Sequence, residues 1–374
     1  MRVAVLGAGA TGLFATLQLA RRGLEVVLIE AKPRSSGATV NIGGVIHGGA
    51  RFAVSNPALA KLCASELPKW KAMSPDFLRE TGAYFVSFKG DREDYAAKWR
   101  SAMSSIGISS RQVDPSEIPV QGLKKDSLEA AWRTDDALIN VPEFLNALLS
   151  KTIDEGVLYL NRASWSPLVK GERAGVKVKR GSLELDAIDA IVNATGASSP
   201  KVHALLTGQA VPSQTRTGAH LLLKPRASAI VEKLRPPGQG DILLPLLGHS
   251  AITPSLSEKG EREPTQRELA FLLKAAQELL DVRDSDAMGY MSAERLLYDQ
   301  ASSLSQTDLL VTSGNVVTAY SSNLACARAV GEAAALIVMR QLGLSGRQNS
   351  SLPKIQRQEV RYKKIRHADE PWLS

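Results

Sequence analysis

The residues whose types and spacing could do chemistry gather near the N-terminus. Gly7-Ala8-Gly9-Ala10-Thr11-Gly12 fits G-x-G-x-x-G, and an acid, Glu30, stands eighteen residues beyond its last glycine. That pattern is the chemistry of a dinucleotide site. Gly7 permits a tight turn, Gly9 lets backbone approach a pyrophosphate, and Gly12 lets a helix pack close to a strand. The acid holds a ribose hydroxyl, and its charge favours an unphosphorylated ribose, as in FAD or NAD, over NADP. A second run, Asn41-Ile42-Gly43-Gly44-Val45-Ile46-His47-Gly48-Gly49-Ala50-Arg51, is dense in glycine, as backbone lying against a flat ligand must be. Within it, Arg51 is a candidate anion ligand. His47 reads equally as a contact of that ligand, an acid–base group or a satisfied buried histidine.

The elements that must position these residues are legible around them. Val3-Ala4-Val5-Leu6 is apolar and long enough for one buried parallel strand. A helix is predicted over 13–22, with Gly23 as its C-terminal cap and its N-terminus aiming free N–H groups at phosphates. Val26-Val27-Leu28-Ile29 is a second strand, and it delivers Glu30. Far downstream, a strand over 188–193 runs into Ala194-Thr195-Gly196, small residues suited to backbone passing a nucleotide. No second G-x-G-x-x-G is present, which argues against a separate nicotinamide domain.

Helices are expected over 56–73, 91–106 and 141–155, with Pro68 kinking or dividing the first. Strands are expected over 83–88, 127–133 and 157–160, the last buried, and a meander over 164–186. From Gly218 the pattern changes to short strands over 218–223, 240–245, 248–252 and 290–297. They predict an antiparallel sheet carrying His220 and Arg295, with a helix over 264–281 started by the capping pair Thr265 and Glu268. Strands over 308–320 then lead to a long helix over 322–342, whose N-terminus suits a ring that becomes anionic. The fold class is α/β. A doubly wound, Rossmann-like cofactor domain is drawn from 1–80, 134–214 and 306–345, an antiparallel-sheet substrate domain from 81–133 and 215–305, and a basic tail from 346–374.

Composition narrows the classes. With 374 residues, 44% hydrophobic and 22% charged, the chain has an ordinary globular make-up and enough length for a full core. Its two cysteines, Cys63 and Cys326, exclude a disulfide framework, a four-cysteine zinc site and an iron–sulfur cluster, and predict a reducing, cytoplasmic setting. No apolar run approaches the roughly 18 residues of a membrane span. A strand beginning at residue 2 leaves no room for a leader, so none is expected. Part of the net charge of +8 lies in Lys354, Arg357, Arg361, Lys363, Lys364 and Arg366. That cluster reads as a solvated helix or as a contact for an anionic membrane face or an acidic partner. No nucleic-acid signature accompanies it, and no histidine–carboxylate spacing suggests a metal.

On Gly37-Ala38-Thr39, Asn41, Gly44, His47, Gly49, Ala50 and Arg51 the chain resembles FAD-dependent glycerol-3-phosphate dehydrogenases, within the wider D-amino-acid-oxidase-like flavoprotein superfamily. Ile42 stands where many members have a second histidine, and Phe52 where they have tyrosine. Ala194-Thr195-Gly196 is similar to the motif that closes their FAD site. Gly314, Thr318 and Tyr320 loosely match their Gly-Gly-Lys-x-x-Thr-Tyr-Arg segment, with Asn315 in place of the lysine and no arginine following. The resemblance spans about residues 1–342, and the further C-terminal domain of many bacterial members is not expected here.

This resemblance implies FAD as cofactor, contacted by Gly7, Gly9, Ala10, Thr11, Gly12, Glu30, Ala31, Thr39, Asn41, Gly43, Gly44 and His47. Ala194, Thr195, Gly196, Gly314, Asn315, Val317 and Thr318 complete the implied set. It gives His47, Arg51, His220 and Arg295 substrate-facing or catalytic roles. The implied reaction is oxidation of sn-glycerol 3-phosphate to dihydroxyacetone phosphate by hydride transfer to flavin N5. Electrons would pass to a quinone or a partner protein, with the basic tail as a peripheral membrane contact. Two alternatives stay open: an FAD enzyme for a 2-hydroxy acid or amino acid, and a flavin-binding protein that only relays electrons.

Overall fold

A computed structural model describes residues 1–33, 37–41, 43–91, 93–170, 173–178, 184–185, 188–224, 227–246, 248–255, 263–298 and 309–344. The basic cluster at 354–366 lies outside them. The chain begins β1 (Arg2–Leu6), α1 (Ala10–Ala20), β2 (Glu25–Glu30) and, within the second glycine run, β3 (Val45–Ile46). Next come α2 (Pro57–Met73), β4 (Leu78–Arg79), β5 (Ala83–Phe88), α3 (Glu93–Ile106), β6 (Arg111–Val113), β7 (Leu128–Thr134) and β8 (Ala137–Ile139). The middle holds α4 (Val141–Asp154), β9 (Leu158–Asn161), β10 (Trp165–Lys170), β11 (Arg173–Val178), β12 (Glu184–Leu185), β13 (Ala190–Asn193) and α5 (Ser199–Thr207). Then follow β14 (Ser213–Leu223), β15 (Ile230–Lys233), β16 (Ile242–Pro245), β17 (Ser250–Thr253) and α6 (Gln266–Leu279). The described part closes with β18 (Ala287–Tyr298), β19 (Leu309–Ser313), β20 (Val316–Tyr320) and α7 (Ala327–Gln341).

Val3 to Leu6 are fully buried because β1 lies inside a six-stranded sheet of order β19-β20-β13-β1-β2-β9. All its pairs are parallel except β19 with β20. One face packs on α1, α2, α4 and α7; the other is covered by α5 and the small sheet β10-β11-β12. Both faces are therefore dry, as a parallel sheet requires. The chain turns from β1 towards β2 on one side and later returns as β13 on the other. The crevice between β1 and β13 is thus the switch point where such sheets bind ligands. Gly331 of α7 lets the two helices beside it close up: a Cβ there would stand 2.6 Å from Thr11 O.

The second large sheet has eight strands in the order β18-β14-β17-β16-β15-β5-β7-β6. It is antiparallel apart from β5 with β15, which pair in parallel. That exception comes from β15, a strand the sequence pattern does not announce, because Ile230-Val231 is followed at once by Glu232-Lys233. On one face α6 buries Leu272, Ala275, Ala276 and Leu279; on the other α3 buries Trp99 and Met103. The start of α6 is as expected, with Thr265 Oγ1 accepting from Glu268 N at 3.2 Å and Glu268 Oε2 accepting from Thr265 N at 2.7 Å.

Two local expectations change. Helix α2 runs unbroken through Pro68, because Leu59, Cys63, Leu67 and Trp70 bury one continuous face and packing outweighs a lost backbone bond. Strand β9 is an edge paired only with β2, so Leu158 is 47% exposed rather than buried. Among the described residues no helix is long and apolar enough to cross a membrane.

Candidate active site

The loops after β1, β2 and β13 open onto one cavity of about 770 Å³. At one end Gly7, Gly9, Ala10, Thr11, Glu30 and Ala31 line it. Gly7 has φ +98°, and a Cβ on it would fall 2.4 Å from Ala194 O, so the two loops can meet only at glycine. Helix α1 begins at Ala10 behind Gly9, which offers no side-chain cap, and has no acid in its first turn, leaving its N–H groups for an anion. Glu30 is held by two backbone donors: Ala8 N to Oε2 at 2.9 Å and Lys32 N to Oε1 at 2.9 Å. Each carboxylate oxygen keeps acceptor capacity for a ribose hydroxyl.

Thr39, Asn41, Ala194, Thr195 and Gly196 continue the wall. Gly12, Gly43 and Gly44 do not line the cavity; they let other parts close around it. A Cβ on Gly12 would sit 1.9 Å from Gly7 O, on Gly43 2.4 Å from Leu244 Cδ1, and on Gly44 2.4 Å from Ile139 O.

The segment expected to meet the flavin ring is displaced along the chain. Gly314, Asn315, Val317 and Thr318 do not line the cavity, whereas Tyr320, Ser321, Ser322, Asn323 and Leu324 do. Asn315 is spent on β11, donating to Ala174 O at 2.9 Å and accepting from Ala174 N at 3.0 Å. Val317 is buried within the sheet. Thr318 Oγ1 accepts from Asn193 Nδ2 at 3.0 Å and lies 2.8 Å from His203 Nδ1, a buried network joining β13, β20 and α5. The signal available was the length of the strand: β20 continues to residue 320, so the first turn after it, not its start, lines the cavity.

At the far end His47, Arg51, His220 and Arg295 line the same cavity. The second glycine run supplies His47 and Arg51, while two adjacent strands of the eight-stranded sheet supply His220 (β14) and Arg295 (β18). Arg295, on β18, pairs in register with Arg216 of β14; the residue is half-buried, and its Nε is buried without a hydrogen-bond partner. Burial pushes its guanidinium below the usual value, an effect that Tyr320 opposes and Arg51 reinforces. His220 is 1% exposed, and neither ring nitrogen has a hydrogen-bond partner among the described residues. Burial, reinforced by the charge of Arg295, lowers its pKa to about 3, so the ring is neutral.

Arg51 is not a free cation. Its Nη1 donates to Glu232 Oε2 at 3.1 Å, and Glu232, on β15, is 1% exposed. His47 Nδ1 stands 3.5 Å from Asp136 Oδ1 and 3.8 Å from Glu232 Oε1, while its ring packs edge-on against Phe52 with centroids 5.3 Å apart. Asp136 is fixed by Gly48 N at 2.8 Å and Thr134 Oγ1 at 2.6 Å. The sequence offered no spacing that joins residues 47, 51, 136 and 232. An imidazole backed by carboxylates can take a proton and hold it, whereas His220, beside a cation, is suited to a neutral hydrogen bond.

A glycine cradle at the switch point, an acid for ribose and a polar chamber beyond define a flavin-type oxidoreductase. The FAD dependent oxidoreductase (DAO) family matches residues 2–335, and the chain belongs to it. An anaerobic glycerol-3-phosphate dehydrogenase subunit of Escherichia coli K12 is 25% identical over 294 residues, 75% of this chain and 54% of that protein. The chain therefore spans about half the length of the curated relatives it matches. FAD-bound L-alpha-glycerophosphate oxidase from Mycoplasma pneumoniae superposes with TM-score 0.77 at 14% identity, covering 94% of this chain and 97% of that one. Glycine oxidase from Geobacillus kaustophilus gives 0.74 at 16% identity, covering 96% and 99%. These structural likenesses carry the fold.

Proposed function

We propose that the chain oxidises a small hydroxy compound bearing an anionic group, with glycerol 3-phosphate as the first candidate and a quinone or partner protein as electron acceptor. One observation carries the reading: Arg295, whose Nε is buried and unpartnered, shares a cavity wall with His220, Arg51 and His47. FAD, held at the other end by the glycine cradle and Glu30, supplies a hydride acceptor. Arg295 orients the substrate's anion through its guanidinium fork, and His220 adds a neutral hydrogen bond. His47 takes the hydroxyl proton, with Asp136 beside its Nδ1 to hold the charge. The first turn after Tyr320 lines the same cavity and leads into the N-terminus of α7, whose dipole favours negative charge nearby. The phosphate ester comes from the name of the Escherichia coli relative.

The Arg51–Glu232 pair favours a second reading, a 2-hydroxy or amino carboxylate, because a single negative charge matches a single unpaired guanidinium. We further read the six-stranded sheet as the cofactor domain, the eight-stranded sheet as the substrate domain, and the setting as cytoplasmic. The tail at 354–366 would dock on an anionic membrane face near the acceptor. Anaerobic addition of glycerol 3-phosphate, 2-hydroxy acids and amino acids to the purified flavoprotein tests the reaction. Bleaching by glycerol 3-phosphate is the expected result; bleaching only by carboxylates selects the second reading. A spectrum unmoved by every compound would reduce the chain to an electron relay.

A further inference from the structure

Glu232 is a buried carboxylate behind the cavity wall rather than in it. It faces Arg51 and His47 from the second glycine run and Asp136 from the turn between β7 and β8. Its register neighbours, Phe85 on β5 and Ile242 on β16, carry no charge. The next residue, Lys233, is bonded to Glu278 of α6 at 2.5 Å. Tyr95 of α3 feels the charges of both Arg51 and Asp241. Two guanidiniums, Arg51 and Arg295, therefore sense each other at the cavity end, and one is neutralised.

We propose that Glu232 is a positioning residue that links anion charge to proton uptake: a dianion entering beside Arg295 draws Arg51 to itself as Glu232 takes a proton from solvent. A monoanion leaves the Arg51–Glu232 pair intact. The inference rests on the anion-site reading above. Its geometric basis is a carboxylate whose Oε2 holds Arg51 while its Oε1, buried, has no hydrogen-bond partner. Protonation of the carboxyl therefore breaks one charged bond, that to Arg51, and no other hydrogen bond of its own. Burial raises the carboxyl's proton affinity, against the pull of Arg51 and His47, so uptake lies within reach of a bound charge. The step balances: one proton leaves solvent, one carboxylate is neutralised, and one guanidinium changes partner.

The test uses sulfate as a dianion that does not itself titrate near neutral pH, and acetate as the monoanion. Both are titrated calorimetrically, in buffers of different ionisation enthalpy, into the protein with and without FAD. Sulfate should bind with uptake approaching one proton, and acetate with none. Glu232→Gln should abolish the uptake and tighten sulfate by about tenfold or more, while Glu232→Asp restores uptake. Sulfate binding without proton uptake in the unaltered protein overturns the inference, as does uptake that persists in Glu232→Gln. The wild-type measurement decides the matter even where a variant fails to fold. Sulfate binding that Arg295→Ala leaves unchanged, or no binding at all, would instead sink the anion-site reading and the inference with it.

Discussion

The Arg295 guanidinium crosses β14 over Gly218, where a Cβ would stand only 2.6 Å from Arg295 Nε. The glycine is extended rather than left-handed, so its role is space, not backbone freedom. Gly218→Ala should push the fork off its line while leaving the dinucleotide cradle untouched. Losing a charged hydrogen bond costs about 10- to 200-fold in affinity, and a displaced one should cost part of that. Flavin reduction kinetics should show a higher KM with FAD occupancy unchanged. Unaltered KM would mean that Arg295 does not touch substrate.

Glu30 offers a test at the opposite end. Glu30→Ala removes the acceptor for ribose and frees Ala8 N and Lys32 N, which it now holds. FAD affinity, measured by recovery of flavin fluorescence on dilution, should fall about 10- to 200-fold. Retention of full affinity would place the ribose elsewhere.

Stability should respond to pH through the neutral histidines. Burial lowers His220 to about 3 and His203 to about 4, below the ordinary 6.5. Below 6.5 the unfolded chain binds protons that the folded chain refuses, so stability is full above that pH and is lost as pH falls. For His220 alone the loss between pH 7 and pH 5 is on the order of 2 kcal/mol. Urea unfolding of His220→Asn should therefore lose about that much less than the wild type over the same interval. Parallel curves would show that His220 takes up a proton in the folded state.

Local physics made much of this molecule legible. Glycines, caps and apolar runs set β1, α1, β2 and α6 within a residue or a few of where they lie, because those signals act over a few positions. The cradle followed from the same short-range rules. The charged chamber did not. Glu232 reaches Arg51 across 181 residues and Asp136 reaches Gly48 across 88, and no local pattern encodes such meetings. Strand β15 was hidden for a related reason: its acid is buried only because a distant arginine is there to receive it.

Asn315 supplies the last prediction, because sequence and structure assign it different work. By resemblance it replaces a lysine beside the flavin, and so would be the place to look for altered substrate choice. In the structure its side chain makes a two-way pair with the Ala174 backbone, clasping β11 to the loop between β19 and β20, outside the cavity lining. Asn315→Lys should then break both bonds and lower stability by about 1–3 kcal/mol, read as a fall in the urea midpoint. Preference between phosphate esters and carboxylates, read from flavin bleaching, should stay as it was. A variant that folds as well as the wild type and gains affinity for glycerol 3-phosphate would show that residue 315 turns into the cavity after all. The cavity wall at this end, drawn from Tyr320 and the turn beyond it, would then have to be redrawn.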